Sequence, residues 1–448
     1  MKHSVIVEYK RCRGCTSCIK SCPTEAIRVR HGKAAILADR CIDCGLCLQV
    51  CPHHAVRAVP DRFEALNRYE YRIALPDPVL YGQFQNLDDV AIVLNGLLEV
   101  GFDAVYEVAK AAEYLSDVAR QKILANETGI TPRISSACPT VIRLICMRFP
   151  KLIPNIKNSI APIELAAILA RREAVKKTGL PPEKIGVFGI VPCPSRVTAA
   201  HTPPTLQKPV LDGAFAIRDV YLQLLTPMKE LQEVRPLASS GLMGLGWSFC
   251  GGESAARLDQ NYLAVDGIEN CIRMLEEIED GRLPEADFIE LNACVEGCVG
   301  GCLTVENPFG AHMRMKRLMK GLPVSCNHFS DLDVPVETLY ADKELEYDPV
   351  LLLDTNRMAA MEKMMKIENL EKQLPGLCCG SCGAPSCHAF AEDVVLGRAS
   401  EEDCIFKMRE RVQNMTGGDN ADEYLPAPFR KQQRPQPNEK VLEVHSLR

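Results

Sequence analysis

Hydrophobic positions in the middle of the chain gather into three short stretches, and each runs into a cysteine. RISSA at 133–137 leads to Cys138, KIGVFGIVP at 184–192 to Cys193, and FIELNA at 288–293 to Cys294. Each reads as a short strand, and after Cys138 the residues Val141, Leu144, Ile145 and Arg148 follow helical spacing. Strands of a parallel α/β sheet bring residues distant in sequence to one carboxyl edge, so Cys138, Cys193, Cys294 and Cys298 are expected to meet there. Gly297, Gly300 and Gly301 around Cys298 permit a close backbone approach. Further on, the methionines from Met358 onward fit one helix face, and Ala389, Phe390, Val394 and Val395 predict a helix that Gly397 stops. No run approaches the ~18 apolar residues that a membrane helix needs.

Composition sharpens this outline at one point. The 448 residues suffice for about three domains. Fifty-eight Asp and Glu outweigh 52 Lys and Arg for a net charge of -6, which leaves no basic excess for nucleic acid. The N-terminus turns charged before any apolar stretch of signal length, so a cytoplasmic location is expected. In that compartment 22 Cys argue against a disulfide framework and for metal binding.

The first 60 residues contain a repeat. RCRGCTSCIKSCPTEAI, starting at Arg11, returns 29 positions later as RCIDCGLCLQVCPHHAV, starting at Arg40. Each copy reads C-x2-C-x2-C-x3-C-P, the spacing in which three thiolates take corners of one 4Fe-4S cube and the fourth crosses to the other. Cys12, Cys15, Cys18 and Cys51 then form one set, and Cys41, Cys44, Cys47 and Cys22 the second. Pro23 and Pro52 are expected to start short helical turns, with Ala26, Ile27, Ala55 and Val56 as apolar cover. Two zinc knuckles would also use four Cys each but would not require this doubled pattern. The segment resembles the bacterial two-cluster ferredoxin domain.

Near the other end, Cys379-x2-Cys382-x4-Cys387 is followed by Cys404, with Gly380 and Gly383 allowing tight turns. The pattern is similar to the small four-Cys 4Fe-4S domain of corrinoid iron-sulfur proteins and electron-bifurcation modules. Structural zinc stays open as its rival, and the adjacent Cys378 could exchange with Cys379.

The middle of the chain resembles the large subunit of iron-only (FeFe) hydrogenases. SSACP at 135–139, VPCPSRVTA at 191–199 and ELNACVEGCVGGC at 290–302 correspond in order and spacing to the three Cys-bearing signatures of that family. LYGQF at 80–84, GFDAVYE at 101–107, FPKL at 149–152 and Ala161-Pro162 extend the likeness. The resemblance implies that Cys138, Cys193, Cys294 and Cys298 ligate a 4Fe-4S cube and that Cys298 bridges to a two-iron subsite, completing an H-cluster. It also implies an outer shell that this chain alters. Ala137 stands where the family has a proton-passing Cys, Arg196 where a Lys donates to a cyanide ligand, Asn292 for a Met and Ala199 for a Glu. Arg196 can still donate, while Ala137 has no exchangeable proton.

The expected architecture is α/β: an α+β ferredoxin domain at 1–65, a two-lobed FeFe-hydrogenase-like domain at 66–345, a small helical 4Fe-4S domain at 346–412 and a disordered tail at 413–448. Four 4Fe-4S clusters would serve slow or sensory hydrogen oxidation or proton reduction, with a redox partner protein, hydrogen and protons as partners. Cys298, Arg196 and Glu253 are the candidate catalytic residues, Glu253 as a proton carrier in WSFCGGE. The alternative is a non-enzymatic electron-transfer or cluster-scaffold protein that keeps only the cube. Cys146, Cys250, Cys271, Cys302, Cys326 and Cys378 are left as ordinary buried thiols, and His53, His54 and His201 as surface or capping residues.

Overall fold

The computed structural model describes residues 3–121, 129–258, 261–283, 285–350 and 353–416. The chain divides into two compact units, Met1–Leu352 and Leu353–Arg448.

The first unit opens with strands β1 (Val5–Val7), β2 (Ile27–Arg30), β3 (Lys33–Ile36) and β4 (Val56–Ala58). β1 pairs antiparallel with β4, and β2 with β3. His31 and Gly32 close the β2–β3 hairpin with positive φ at both positions, the geometry a two-residue turn needs to match strand twist. Two helical turns, α1 (Ser17–Lys20) and α2 (Leu46–Gln49), stand as far apart as the sequence repeat. They precede Pro23 and Pro52 rather than follow them, which corrects the expectation. Each proline instead opens a tight turn, closed by Glu25 N donating to Cys22 O at 3.1 Å and His54 N to Cys51 O at 3.0 Å. Proline's fixed φ suits the second position of such a turn as well as a helix start. Ala26, Ile27, Ala55 and Val56 are buried beside the cysteines, as the sequence suggests.

The rest of this unit carries two parallel sheets. Its strands are β5 (Tyr71–Pro76), β6 (Ala104–Val105), β7 (Arg133–Ile134), β8 (Ile185–Val191), β9 (Gly213–Ala216), β10 (Tyr262–Asp266) and β11 (Phe288–Asn292). One sheet runs β6-β5-β8-β9 and the other β10-β11-β7. Every residue of β8 is buried, which explains its unbroken apolar run: helices cover both faces of a parallel sheet. Among the covering helices are α3 (Val90–Val100), α4 (Val108–Arg120), α5 (Pro139–Arg148), α6 (Pro162–Thr178) and α7 (Pro194–His201). Cys138 and Cys193 occupy the N-cap positions of α5 and α7, each with Pro at the first helical position, where a missing N–H costs nothing. Ile42 of the ferredoxin-like region joins the core formed by Ile134, Val141, Leu144 and Leu291.

In the second unit a helix at Arg357–Gln373 presents Met358, Met361, Met364 and Met365 to solvent, so the methionine run is helical but not a packed face. A helix at Cys387–Val395 buries Ala389 and Phe390, and Gly397 follows with φ +69° as its stop. A last helix, Ile405–Thr416, runs past the expected start of the tail at 413, and the tail beyond 416 lies outside the described residues.

Phe188 on β8 is fully buried, stacks on Phe215 with centroids 5.3 Å apart, and meets Tyr69 edge-on at 5.6 Å. Phe188→Ala should therefore cost about 3–5 kcal/mol, as core Phe truncations do. Denaturant midpoints of wild type and variant measure it; a loss under ~1 kcal/mol would mean the site collapses around the missing ring.

Candidate metal centre

Cys138, Cys193, Cys294 and Cys298 line one cavity. They reach it from both sheets: Cys138 and Cys294 extend from β7 and β11 of the three-stranded sheet, and Cys193 from β8 of the other. The site thus lies where two sets of strand ends face each other, rather than along one edge. Cys298 sits on a 3-10 turn, Gly297–Gly300. Gly297 has φ +78°, and a Cβ at Gly301 would stand 2.4 Å from the carbonyl oxygen of Pro192. Only glycine lets the Cys298 turn lie this close to the segment that carries Cys193.

Burial raises the thiols of Cys193 and Cys298, each to about 12, and pushes that of Cys294 well up. The Arg196 guanidinium opposes this at Cys193 and Cys298. Arg196 is wedged between Asp77 and Cys298: Nη1 donates to Oδ2 of Asp77 at 2.9 Å and Nη2 to Sγ of Cys298 at 3.5 Å. Asp77 is 3% exposed in its side chain, and burial holds its pKa up against the pull of Arg196. Its other oxygen accepts from Val79 N at 3.1 Å.

The cavity continues past the thiols to Val108, Ala112, Ala137, Pro162 and Trp247. Glu253 is on its wall, joined by its carboxylate to the Ser135 hydroxyl and to Lys157 Nζ at 3.3 Å. Asn292 does not point free into the space. Its amide donates to Glu290 Oε1 at 2.9 Å. Ala199 lines a small neighbouring space that also touches Ala137 and Arg196.

Four half-buried thiols facing one space have little reason to gather without metal, since each would lose its proton to a metal ion and none has another partner of comparable strength. The donor set fits an iron–sulfur cube. The space beyond Cys298, with a guanidinium at its edge, is also compatible with a further group attached there.

In the ferredoxin-like region, Cys18 feels the charges of Cys12, Cys15 and Cys51, while Cys41 and Cys44 feel that of Cys22. Cys47 feels Cys22 and also Cys18, and Cys12, Cys18, Cys22, Cys47 and Cys51 of the two sets share one core. Backbone N–H groups of Ala34, Ala26 and Ala55 donate to Sγ of Cys12, Cys22 and Cys51 at 3.2–3.3 Å. In the second unit, Cys382, Cys387 and Cys404 pack around one small core with Phe390, while Cys379 is exposed. Cys378 is no plain core thiol, because its Sγ accepts from Cys387 N at 3.4 Å.

Of the other thiols, Cys146 and Cys271 are buried as expected, whereas Cys326 is exposed. His53 and His54 are exposed, but His201 is half-buried against Asp61, Nε2 to Oδ2 at 2.9 Å. Sequence reasoning missed Asp77, Ser135, Lys157 and Glu290. Asp77 carries a local signal, an Asp before Pro78 that caps a short helical turn, but its partner is 119 residues away.

Three family models match the chain: a 4Fe-4S dicluster domain at residues 4–52, the C-terminal domain of the iron-only hydrogenase large subunit at 73–221 and 249–302, and a putative Fe-S cluster domain at 374–406. An uncharacterized protein of Methanocaldococcus jannaschii is 43% identical over 51 residues, 11% of this chain and 23% of that protein. Two solved structures of FeFe-hydrogenase variants from Chlamydomonas reinhardtii, the second of them in its apo form, align with TM-scores of 0.50 and 0.51. Their identities are 15% and 16%, over 64% of this chain and 98% of theirs, a likeness of fold alone. Together with the four thiols in their common cavity, these matches make the chain an FeFe-hydrogenase-like iron–sulfur protein with an N-terminal ferredoxin-like domain and a C-terminal Fe–S domain.

Proposed function

We propose that the protein is a hydrogenase-type redox enzyme of the cytoplasm, slow or sensory, which exchanges electrons with a partner protein through four 4Fe-4S clusters. The observation that carries this reading is Arg196 beside Cys298 in a cavity that the four thiols share. In it, Cys138, Cys193, Cys294 and Cys298 would hold a cube, Cys298 would also hold a two-iron subsite, and Arg196 would be placed to donate to it. Cys12, Cys15, Cys18 and Cys51, Cys22, Cys41, Cys44 and Cys47, and Cys379, Cys382, Cys387 and Cys404 hold the accessory cubes. Bound there, the clusters supply electron storage and the hydrogen chemistry.

The chain's own part is to orient and to manage protons. Ala137 has only a methyl group; two residues before it, Ser135 Oγ donates to Glu253 and accepts from Ala137 N at 3.1 Å. Glu253 in turn accepts from Lys157, whose pKa burial lowers and Glu253 holds up. Ser135, Glu253 and Lys157 thus form a buried chain along which a proton can be held and handed on. Trp247, Val108 and Pro162 shield the space from water.

The second reading is an electron-transfer or scaffold protein holding the cube alone. It is favoured by Asp77, whose carboxylate already neutralises the one guanidinium offered to an anionic subsite. Infrared spectra of matured protein separate the two. Carbonyl and cyanide bands, with roughly 16 irons in cubes and two more, support the enzyme. Full cube occupancy without those bands supports the scaffold, and iron near 8 would remove both the central and the C-terminal set from either reading.

Restoring the thiol by Ala137→Cys should raise hydrogen turnover, by up to the ~10²- to 10⁴-fold that a positioned acid or base contributes. Rates with an artificial donor, normalised to the infrared bands, measure it. A variant with intact bands and unchanged rate would place the limit elsewhere.

Glu290 is raised to about 7, first by burial and then by the Glu253 charge. The folded protein therefore keeps a proton that the unfolded chain releases near the ordinary 4.5. This contribution to stability is full below that value and is lost as pH rises through about 7. Glu290→Gln should accordingly shrink the drop in unfolding temperature between pH of about 5 and 8; an unchanged drop would assign the pH dependence to other groups.

A further inference from the structure

Asp43 lies between Cys41 and Cys44 of the second ferredoxin set, in a left-handed backbone conformation at φ +52°. Its side chain is fully buried. Oδ2 accepts from Arg143 Nη1 at 2.6 Å and Thr198 Oγ1 at 3.0 Å, and faces His3 Nδ1 at 3.0 Å. Arg143 is on α5, which Cys138 caps, and Thr198 is on α7, which Cys193 caps. Ser4 reinforces the same junction, its Oγ donating to Pro194 O at 2.6 Å and its N to Thr198 Oγ1 at 3.1 Å. One carboxylate thus ties the loop of one thiol set to the two helices that begin at ligands of another.

Next to it the backbone at Gly45 runs close against the Cys302 side chain. A Cβ at Gly45 would stand 2.3 Å from Sγ of Cys302, and Cys302 in turn raises the charge cost at Cys44 and Cys294. Cys302 therefore occupies the gap between the second ferredoxin set and the central set.

We infer that Asp43 is a positioning residue, which locks the second ferredoxin cluster against the central one and so sets the electron step between them, with Cys302 filling the gap. The inference rests on the proposed ligand sets, but not on a two-iron subsite. In that step one electron, supplied by the redox partner, leaves the ferredoxin cube and reduces the central cube, with no bond made or broken. Removing a buried carboxylate leaves the Arg143 charge without its partner and frees the junction to move.

The test uses the full chain, reconstituted anaerobically and reduced. Wild type should show electron-spin-resonance signals of the ferredoxin and central cubes broadened by each other. Asp43→Ala should keep roughly 16 irons and lose that broadening, while Asp43→Asn, which retains an acceptor oxygen, should recover part of it. Thr198→Val with Arg143→Gln leaves the Cys41–Cys44 loop untouched and should reproduce the loss, which covers the case that Asp43→Ala sheds iron. Broadening unchanged in the double variant, or in Asp43→Ala with full iron, overturns the inference. Wild type with roughly 12 irons and no central signal overturns the ligand sets and the inference with them.

Discussion

A guanidinium buried between a carboxylate and a thiol is the constraint on which the central site depends. Taking Arg196 and Asp77 out of water is costly, and their attraction offsets this only because the geometry is good and Asp77 is also held by Val79 N. Such a pair tolerates no loosening. It joins the segment after β5 to α7 and to the Cys298 turn, so three stretches far apart in sequence must come into register before the charges are satisfied. Loss of either partner would leave the other as a bare buried charge, typically a cost of about 3–5 kcal/mol.

The thiol sets differ in how much of the chain they need. Three thiols of the set at 379–404, Cys382, Cys387 and Cys404, sit in their own small core within the second unit, with Cys379 exposed beside it. The central set draws on two sheets, three strand ends and a glycine-lined turn, and so requires most of the first unit to be folded. Cluster loading and folding are linked in both, but for the central set the link extends over more than 150 residues, from Cys138 to Cys298.

The same difference explains what could be read from sequence. Cysteine spacings are local, and the crossover of Cys51 and Cys22 follows from a repeat whose two copies fold alike. The strand leading to Cys193 is visible because burial on both faces removes polar residues from it, and the one leading to Cys294 through Phe288, Ile289 and Leu291 around a buried Glu290, whereas β7 is only two residues long and Cys138 is legible through the helix that follows. The prolines misled, because one fixed φ serves a turn as well as a helix start. Asp77, Lys157 and Asp43 look like ordinary charged residues in the sequence. Their meaning comes from partners 119, 96 and 100 residues away, which no local pattern encodes.

Cys138 and Cys193 cap α5 and α7, and this has an electrical consequence. Peptide dipoles leave the start of each helix partly positive, by up to about half a unit charge. A cube held by both thiolates would face two such ends, and its more negative, reduced form would gain more from them than its oxidised form. Helix starts placed in this way would favour the reduced form of a cube held there.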